Sequence, residues 1–200
     1  MSTLSEDINI RAALLAVKAE GAAHIPGALH DPFYKRLQNE IEAGPFSPMP
    51  DRIGQVTQEV DSFMARGSAI EGFQLLQELR EDLVGAVKYE GRGIKGVTTW
   101  KPNLVMVQRF KAEALGITPH MDGKRFAKLV AIFTTKGNAR FTVCKSRKGD
   151  VLQRWDVRPG SLVLLRAPGF AGLEDGRPFH MIEGPKRGER YSIAFRLDTK

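Results

Sequence analysis

The stretch Pro119–Phe126, PHMDGKRF, sets a histidine and an aspartate two residues apart and follows them with Lys124 and Arg125. In extended chain, alternate side chains point the same way, so His120 and Asp122 can enter one cavity. With four histidines in the whole chain, a third donor for a metal site has few sources. His180, sixty residues on, sits in the strand-like segment PFHMI, whereas His24 and His30 flank a loop ahead of a helix and are poorer candidates. Two imidazoles and one carboxylate make the facial donor set that holds Fe(II) and leaves positions open for other ligands. A polar turn is the other use of an isolated His-x-Asp, so its companions decide between the two.

The closing segment RYSIAFRL supplies such companions. Strand alternation puts Arg190, Ser192, Ala194 and Arg196 on one face and Tyr191, Ile193 and Phe195 on the other. The second face is too apolar for solvent, so helices must cover it and the arginines must point inward. A guanidinium inside a barrel is expensive unless an anion pairs with it. A small dicarboxylate, gripped by the guanidinium fork and hydrogen-bonded by Ser192, would meet that need.

The elements that must position these residues are legible in outline. Ser5-Glu6-Asp7 opens a helix through IRAALLAVKA, and AAHIPGAL is a short extended segment. Asp31 followed by Pro32 starts a second helix, which stops near Gly44. Residues 45–70, with clustered prolines, read as a loop plus a short strand or helix. Phe73, Leu76, Leu79, Leu83 and Val87 mark an amphipathic helix over 71–89. Seven strand candidates follow, at 103–110, 127–134, 139–144, 151–157, 161–167, 178–182 and 190–197. Helices followed by strands predict an α+β chain ending in a β-sandwich or jelly roll.

Composition narrows the setting. The chain has 200 residues, 42% hydrophobic and 26% charged, which suits one soluble globular domain. It has no apolar run of membrane-spanning length and no signal-peptide pattern. Lone Cys144 cannot form an intramolecular disulfide or a cysteine-built zinc site, and a reducing cytoplasm is the simplest compartment. Residues 1–85 carry 7 Lys and Arg against 13 Asp and Glu, a net of −6, while residues 86–200 carry 23 against 10, a net of +13. A basic second half points to a polyanionic partner such as nucleic acid.

The ordered set of His-x-Asp, His and then Arg ten residues on resembles the Fe(II)/2-oxoglutarate-dependent oxygenases, and most of all their AlkB-like branch. The resemblance covers residues 100–198 and rests on QRF…PHMD, GSLVLLRAPGF, FHMIEGP and RYSIAFR, the last similar to the Arg-Tyr-x-x-x-Phe-Arg ending of AlkB-like proteins. It implies a double-stranded β-helix (jelly-roll) core at 100–200, with the N-terminal helices of residues 1–99 packed on it and a substrate lid near 45–70. It further implies Fe(II) on His120, Asp122 and His180, and 2-oxoglutarate anchored by Arg190 with Ser192. Arg196 would steady the metal shell from the Asp122 side. Where members often have asparagine and tyrosine on the co-substrate, this chain has Gln108 and Phe110, so one hydroxyl contact is missing. Arg187 is the second-choice anchor.

The implied chemistry consumes O2 and 2-oxoglutarate, releases succinate and CO2, and hydroxylates a C–H bond. On an N-methyl group, formaldehyde and the bare base would follow. Alkylated or single-stranded nucleic acid is then the expected substrate, with Lys124, Arg125, RGIKG and CKSRKGD as basic contacts. Phe46, Met49, Phe63, Met64 and Trp100 are the residues available to grip a flipped base. The rival substrates are a protein side chain or a small metabolite, and a non-catalytic ligand-binding jelly roll is the rival of another class.

Overall fold

The two-faced pattern of the last strand organises the whole chain. In the computed structural model, which describes residues 2–200, β13 (Arg190–Asp198) lies near the middle of a seven-stranded sheet. Its neighbours are β6 (Leu104–Phe110) and β8 (Phe126–Lys136), both antiparallel. Outside β8 come β11 (Leu162–Arg166) and β1 (Ala22–Ile25); outside β6 come β5 (Asp61–Arg66) and β2 (Ser47–Pro48). A four-stranded sheet faces it, in the order β10 (Val151–Val157), β9 (Ala139–Cys144), β12 (Phe179–Glu183) and β7 (Gly116–His120). Two facing antiparallel sheets with helices on one outer face are the expected jelly-roll α+β architecture.

Three helices cover the outer face of the large sheet. Helix α1 (Ile10–Glu20) begins later than Ser5–Asp7 suggests, because the Asn9 side chain accepts the Ala12 N–H at 2.8 Å and caps it. Helix α2 (Asp31–Glu42) has His30 at its cap, which moves Asp31 and Pro32 one place into the helix. Helix α3 (Gln74–Glu90) has its first free N–H groups capped from α2, since the Glu40 carboxylate accepts from Leu75 and Leu76 at 3.0–3.1 Å. Leu76, Leu79, Leu83 and Val87 are fully buried in one core with Tyr191, Ile193 and Phe195, so the apolar face of β13 is covered as alternation requires. No helix among the described residues is long and apolar enough to cross a membrane.

Residues 45–66 form short strands rather than one loop, and the hairpin at 52–57 stands at the cavity mouth. Met49 and Met64 reach the cavity between the sheets, but Phe46 and Phe63 turn the other way and pack edge-to-face at 4.9 Å under the helices. Trp100 is buried in the same helix-side core. None of these three rings is free to stack on a substrate. Between them, the hairpin β3 (Arg52–Ile53) and β4 (Val56–Thr57) is tied to β7, with the Thr57 N–H donating to Thr118 Oγ1 at 3.0 Å.

Strand β7 lacks alternation and contains Pro119, which kept it out of the strand candidates. It is nonetheless the strand that delivers His120. Its pairing with β12 starts at Gly116, opposite Glu183, with φ +87° and no room for a side chain. An alanine Cβ there would lie 2.1 Å from the Ile182 carbonyl oxygen. Gly116→Ala is therefore expected to cost about 2–4 kcal/mol in strain and overpacking. It should weaken divalent-metal binding at the same time, because it pushes β7 off β12; thermal unfolding and Mn(II) titration of the same variant check both.

Candidate metal centre

Pairing of β7 with β12 brings together residues sixty positions apart, since His120 and His180 are direct cross-strand partners. Their ring centroids are 4.3 Å apart. Each ring turns its Nδ1 to a backbone carbonyl, His120 to Thr118 at 2.8 Å and His180 to Pro178 at 3.2 Å. A proton on Nδ1 satisfies those carbonyls and leaves the Nε2 lone pair free, the arrangement that fixes a metal-ligating tautomer. Phe141 stacks on His180 at 5.5 Å and holds the ring plane.

Asp122 follows β7 by two residues and completes a group whose donor atoms all lie within 4.8 Å of one another. Its Oδ1 accepts from Arg196 Nη2 at 3.2 Å, while Oδ2, 3.8 Å from His180 Nε2, is buried without a hydrogen-bond partner. Burial alone would raise the Asp122 carboxyl, but the charge and hydrogen bond of Arg196 outweigh it and hold the group ionised. Burial, with His120 alongside, pushes His180 down to about 3, so its imidazole is neutral. A buried carboxylate oxygen without a partner, facing two imidazole lone pairs, fits a divalent cation such as Fe(II).

Arg177 also holds this centre and was not singled out from the sequence. It is nearly buried, and its Nη1 donates to the main-chain carbonyl of Asp122. Asp175 grips the same guanidinium, accepting from Nε at 2.8 Å and from Nη2 at 2.7 Å. Arg177 thereby ties the His-x-Asp turn to the segment entering the His180 strand. In sequence, Asp175-x-Arg177 reads as an ordinary loop pair, and nothing shows that the fork reaches across to the turn after β7. Arg177→Ala is expected to lower metal affinity by about 10- to 100-fold. Arg177→Lys should restore part of it, as read by Mn(II) titration; equal affinity in all three proteins would make the contact incidental.

The other end of the cavity is built around Arg190, which is 2% exposed. It donates to Ser192 Oγ at 3.3 Å and to Thr134 Oγ1 at 3.0 Å, and its Nε has no partner. Burial lowers it to about 10, and among the described residues no carboxylate pairs with it. A buried guanidinium held only by hydroxyls is built for an anion from outside the chain. Phe110 has no hydroxyl to offer, but its ring lies 5.2 Å from the guanidinium carbon. Gln108 stands beside Ser192 in the sheet, and both line the cavity. Thr134 was missed from sequence because a threonine in a strand gives no signal. Arg187 lies in a separate surface groove with Arg140 and Arg158.

Triad, Arg196, Arg190, Ser192 and Gln108 thus share one cavity of about 430 Å3 between the sheets. The basic segments divide. Arg147 of CKSRKGD donates to the Pro119 carbonyl at 3.3 Å beside the triad. In RGIKG, Lys95 instead packs against Gly172.

Several solved structures share this fold. An oxidoreductase of the 2OG-Fe(II) oxygenase family from Burkholderia pseudomallei matches 98% of this chain and 93% of its own, with a TM-score of 0.61 at 9% identity. A prolyl hydroxylase from Trichoplax adhaerens, in complex with a hypoxia inducible factor oxygen degradation domain peptide fragment, matches 94% of this chain and 89% of its own (TM-score 0.64, 14% identity). OsALKBH1 matches 88% of this chain and 96% of its own (TM-score 0.58, 12% identity). The AlkB-like fold neighbour is one among several. No protein-family profile and no curated protein sequence matches the chain.

Proposed function

We propose that the protein is an Fe(II)- and 2-oxoglutarate-dependent dioxygenase. The observation that carries this reading is a pair of unmet needs in one cavity. Asp122 Oδ2 is buried without a partner next to two imidazoles, and Arg190 is a buried cation without an anion. A divalent metal meets the first need and a dicarboxylate the second. His120, Asp122 and His180 would hold Fe(II), which with O2 and 2-oxoglutarate supplies the oxidising chemistry that ends in succinate, CO2 and an oxygenated substrate. Arg190 with Ser192 and Thr134 would orient the co-substrate by its distal carboxylate. Gln108 is close enough to assist, and Arg196 keeps Asp122 ionised and aligned. On this reading residues 100–200 are the oxygenase core, and residues 1–99 contribute covering helices and part of the cavity mouth. A reducing cytoplasm suits both a ferrous site and the free, buried Cys144.

For the substrate, oxidative demethylation of alkylated nucleic acid is supported by the net +13 of residues 86–200 and by Arg147 beside the triad. Hydroxylation of a protein side chain or small metabolite is favoured by a different observation, the packing of Phe46, Phe63 and Trp100 into the helix-side core away from the cavity. Succinate release with Fe(II), ascorbate and 2-oxoglutarate, with and without an N-methylated single-stranded oligonucleotide, separates the two. Stimulation by the oligonucleotide that His120→Ala abolishes supports demethylation. Slow, unstimulated turnover also lost in His120→Ala points to the second substrate class. Turnover unaffected by His120→Ala would overturn the oxygenase site itself.

A further inference from the structure

Strand pairing arranges the large sheet's cavity face in parallel rows across β5, β6, β13 and β8. One row is Ser62, Gln108, Ser192 and Thr134, all polar, at the Arg190 end. The next is Met64, Met106, Ala194 and Ile132, all apolar. Beyond it lies the row that contains Arg66 and Arg196, at the Asp122 end. The apolar row runs from Ile132 inside to Met64 at the rim, with the small Ala194 leaving space at its middle. Met64 is 58% exposed, and Ile53 on the opposing hairpin is 50% exposed, so the mouth of the cavity is apolar. Met49 and Met121 also line it, so four of the six methionines in the chain surround one cavity. Thioether side chains make an adaptable apolar wall.

Few polar groups remain for a substrate. Setting aside the triad, Arg196, and the Arg190, Ser192 and Gln108 group, the polar lining side chains are Gln58 and Arg125. Gln58 is buried and donates to the Pro50 carbonyl at 2.9 Å, which commits it to the hairpin. Arg125 is 40% exposed and touches Asp198 only through Nε, at 3.5 Å. Arg66 holds the same carboxylate at 2.6 Å, so two guanidinium groups share one anion and one positive charge is left over at the mouth. A flipped base needs hydrogen bonds along its edge and aromatic or apolar side chains to stack between. Edge partners are scarce here, and the two rings in the lining are already engaged. Arg125 and Arg196 both lie over Phe126, at 4.9 and 5.2 Å, and Phe141 is stacked on His180.

We infer that the substrate is a small molecule with an apolar body and one carboxylate, its body along the Met64–Met106–Ala194 row and its carboxylate on Arg125. The inference rests on the oxygenase reading above. In the balanced reaction, one oxygen atom of O2 enters a C–H bond of the apolar body to give an alcohol. The other atom goes into succinate as 2-oxoglutarate loses CO2.

The test is anaerobic calorimetry on the full chain loaded with Mn(II) and 2-oxoglutarate. The probes are hexanoate, octanoate and phenylacetate, their primary amides, and an N-methylated single-stranded oligonucleotide. At least one carboxylate should bind about three- to tenfold more tightly than its amide, and Arg125→Met should erase that difference. Met64→Glu, at an exposed position that tolerates a polar residue, should weaken the same carboxylate by a similar factor. If 2-oxoglutarate binds and none of the three carboxylates does, or if only the oligonucleotide does, the inference is wrong and the oxygenase reading stands. If 2-oxoglutarate itself fails to bind the Mn(II)-loaded protein, the oxygenase reading is what has failed.

Discussion

His180→Ala is expected to remove divalent-metal binding and leave the fold standing. On the proposed reading His180 is one of three donors, and the other two cannot replace it: His120 is its cross-strand partner with Nδ1 already on a carbonyl, and Asp122 shares its carboxylate with Arg196. Loss of a ligand should exceed the effect of losing a supporting contact, so a fall in affinity of more than about 100-fold is expected. The structural cost is smaller. The imidazole packs on Phe141, and truncating it leaves a modest cavity worth about 1–2 kcal/mol, with β12 still paired to both neighbours. Mn(II) titration and thermal unfolding of the variant separate the two effects. Unchanged metal stoichiometry would show that the third donor lies elsewhere.

Arg190→Met should stabilise the ligand-free protein while abolishing its response to 2-oxoglutarate. The wild-type guanidinium is buried beside Phe110 with two hydroxyl partners and no counter-charge, and burial lowers its pKa to about 10. An apolar side chain of similar length removes that desolvation cost; replacing buried ionic groups in this way typically gains about 1–4 kcal/mol. Without the anchor, 2-oxoglutarate affinity should fall by about 100-fold or more, the size expected when one partner of a buried charge pair is deleted. Wild type should therefore melt higher when 2-oxoglutarate is added to the Mn(II)-loaded protein, and the variant should not. Arg187→Met provides the comparison: it lies outside the cavity and should leave both readings unchanged. A variant that keeps its 2-oxoglutarate affinity would move the anchor elsewhere.

These expectations draw unequally on sequence and structure. Strands β9 and β10 stand where composition suggested, at 139–144 and 151–157, because β-branched and aromatic runs bounded by glycine and aspartate leave little choice. The two faces of β13 were legible for a different reason: three large apolar residues alternating with two arginines cannot both face water. Strand β7 was not legible, because Gly116-Ile-Thr-Pro-His120 has neither alternation nor a β-rich run. It exists through its pairing with β12, a contact between distant segments that a local pattern does not carry. The inward turn of Phe46 and Phe63 was hidden for the same reason, since which side of a short strand is covered depends on helices elsewhere in the chain. Arg177 and Thr134 were hidden because their partners are, respectively, a backbone carbonyl in the turn after β7 and a guanidinium on the strand beside β8.

On the proposed reading, metal and 2-oxoglutarate share one cavity and depend on each other. Anaerobic calorimetric titration of 2-oxoglutarate into Fe(II)-loaded protein and into chelator-stripped protein tests it most directly. One molecule per chain should bind the loaded protein, binding should be much weaker in the stripped protein, and Arg190→Met should lose it in both. Equal binding with and without metal, or no binding to the loaded protein, would contradict the account.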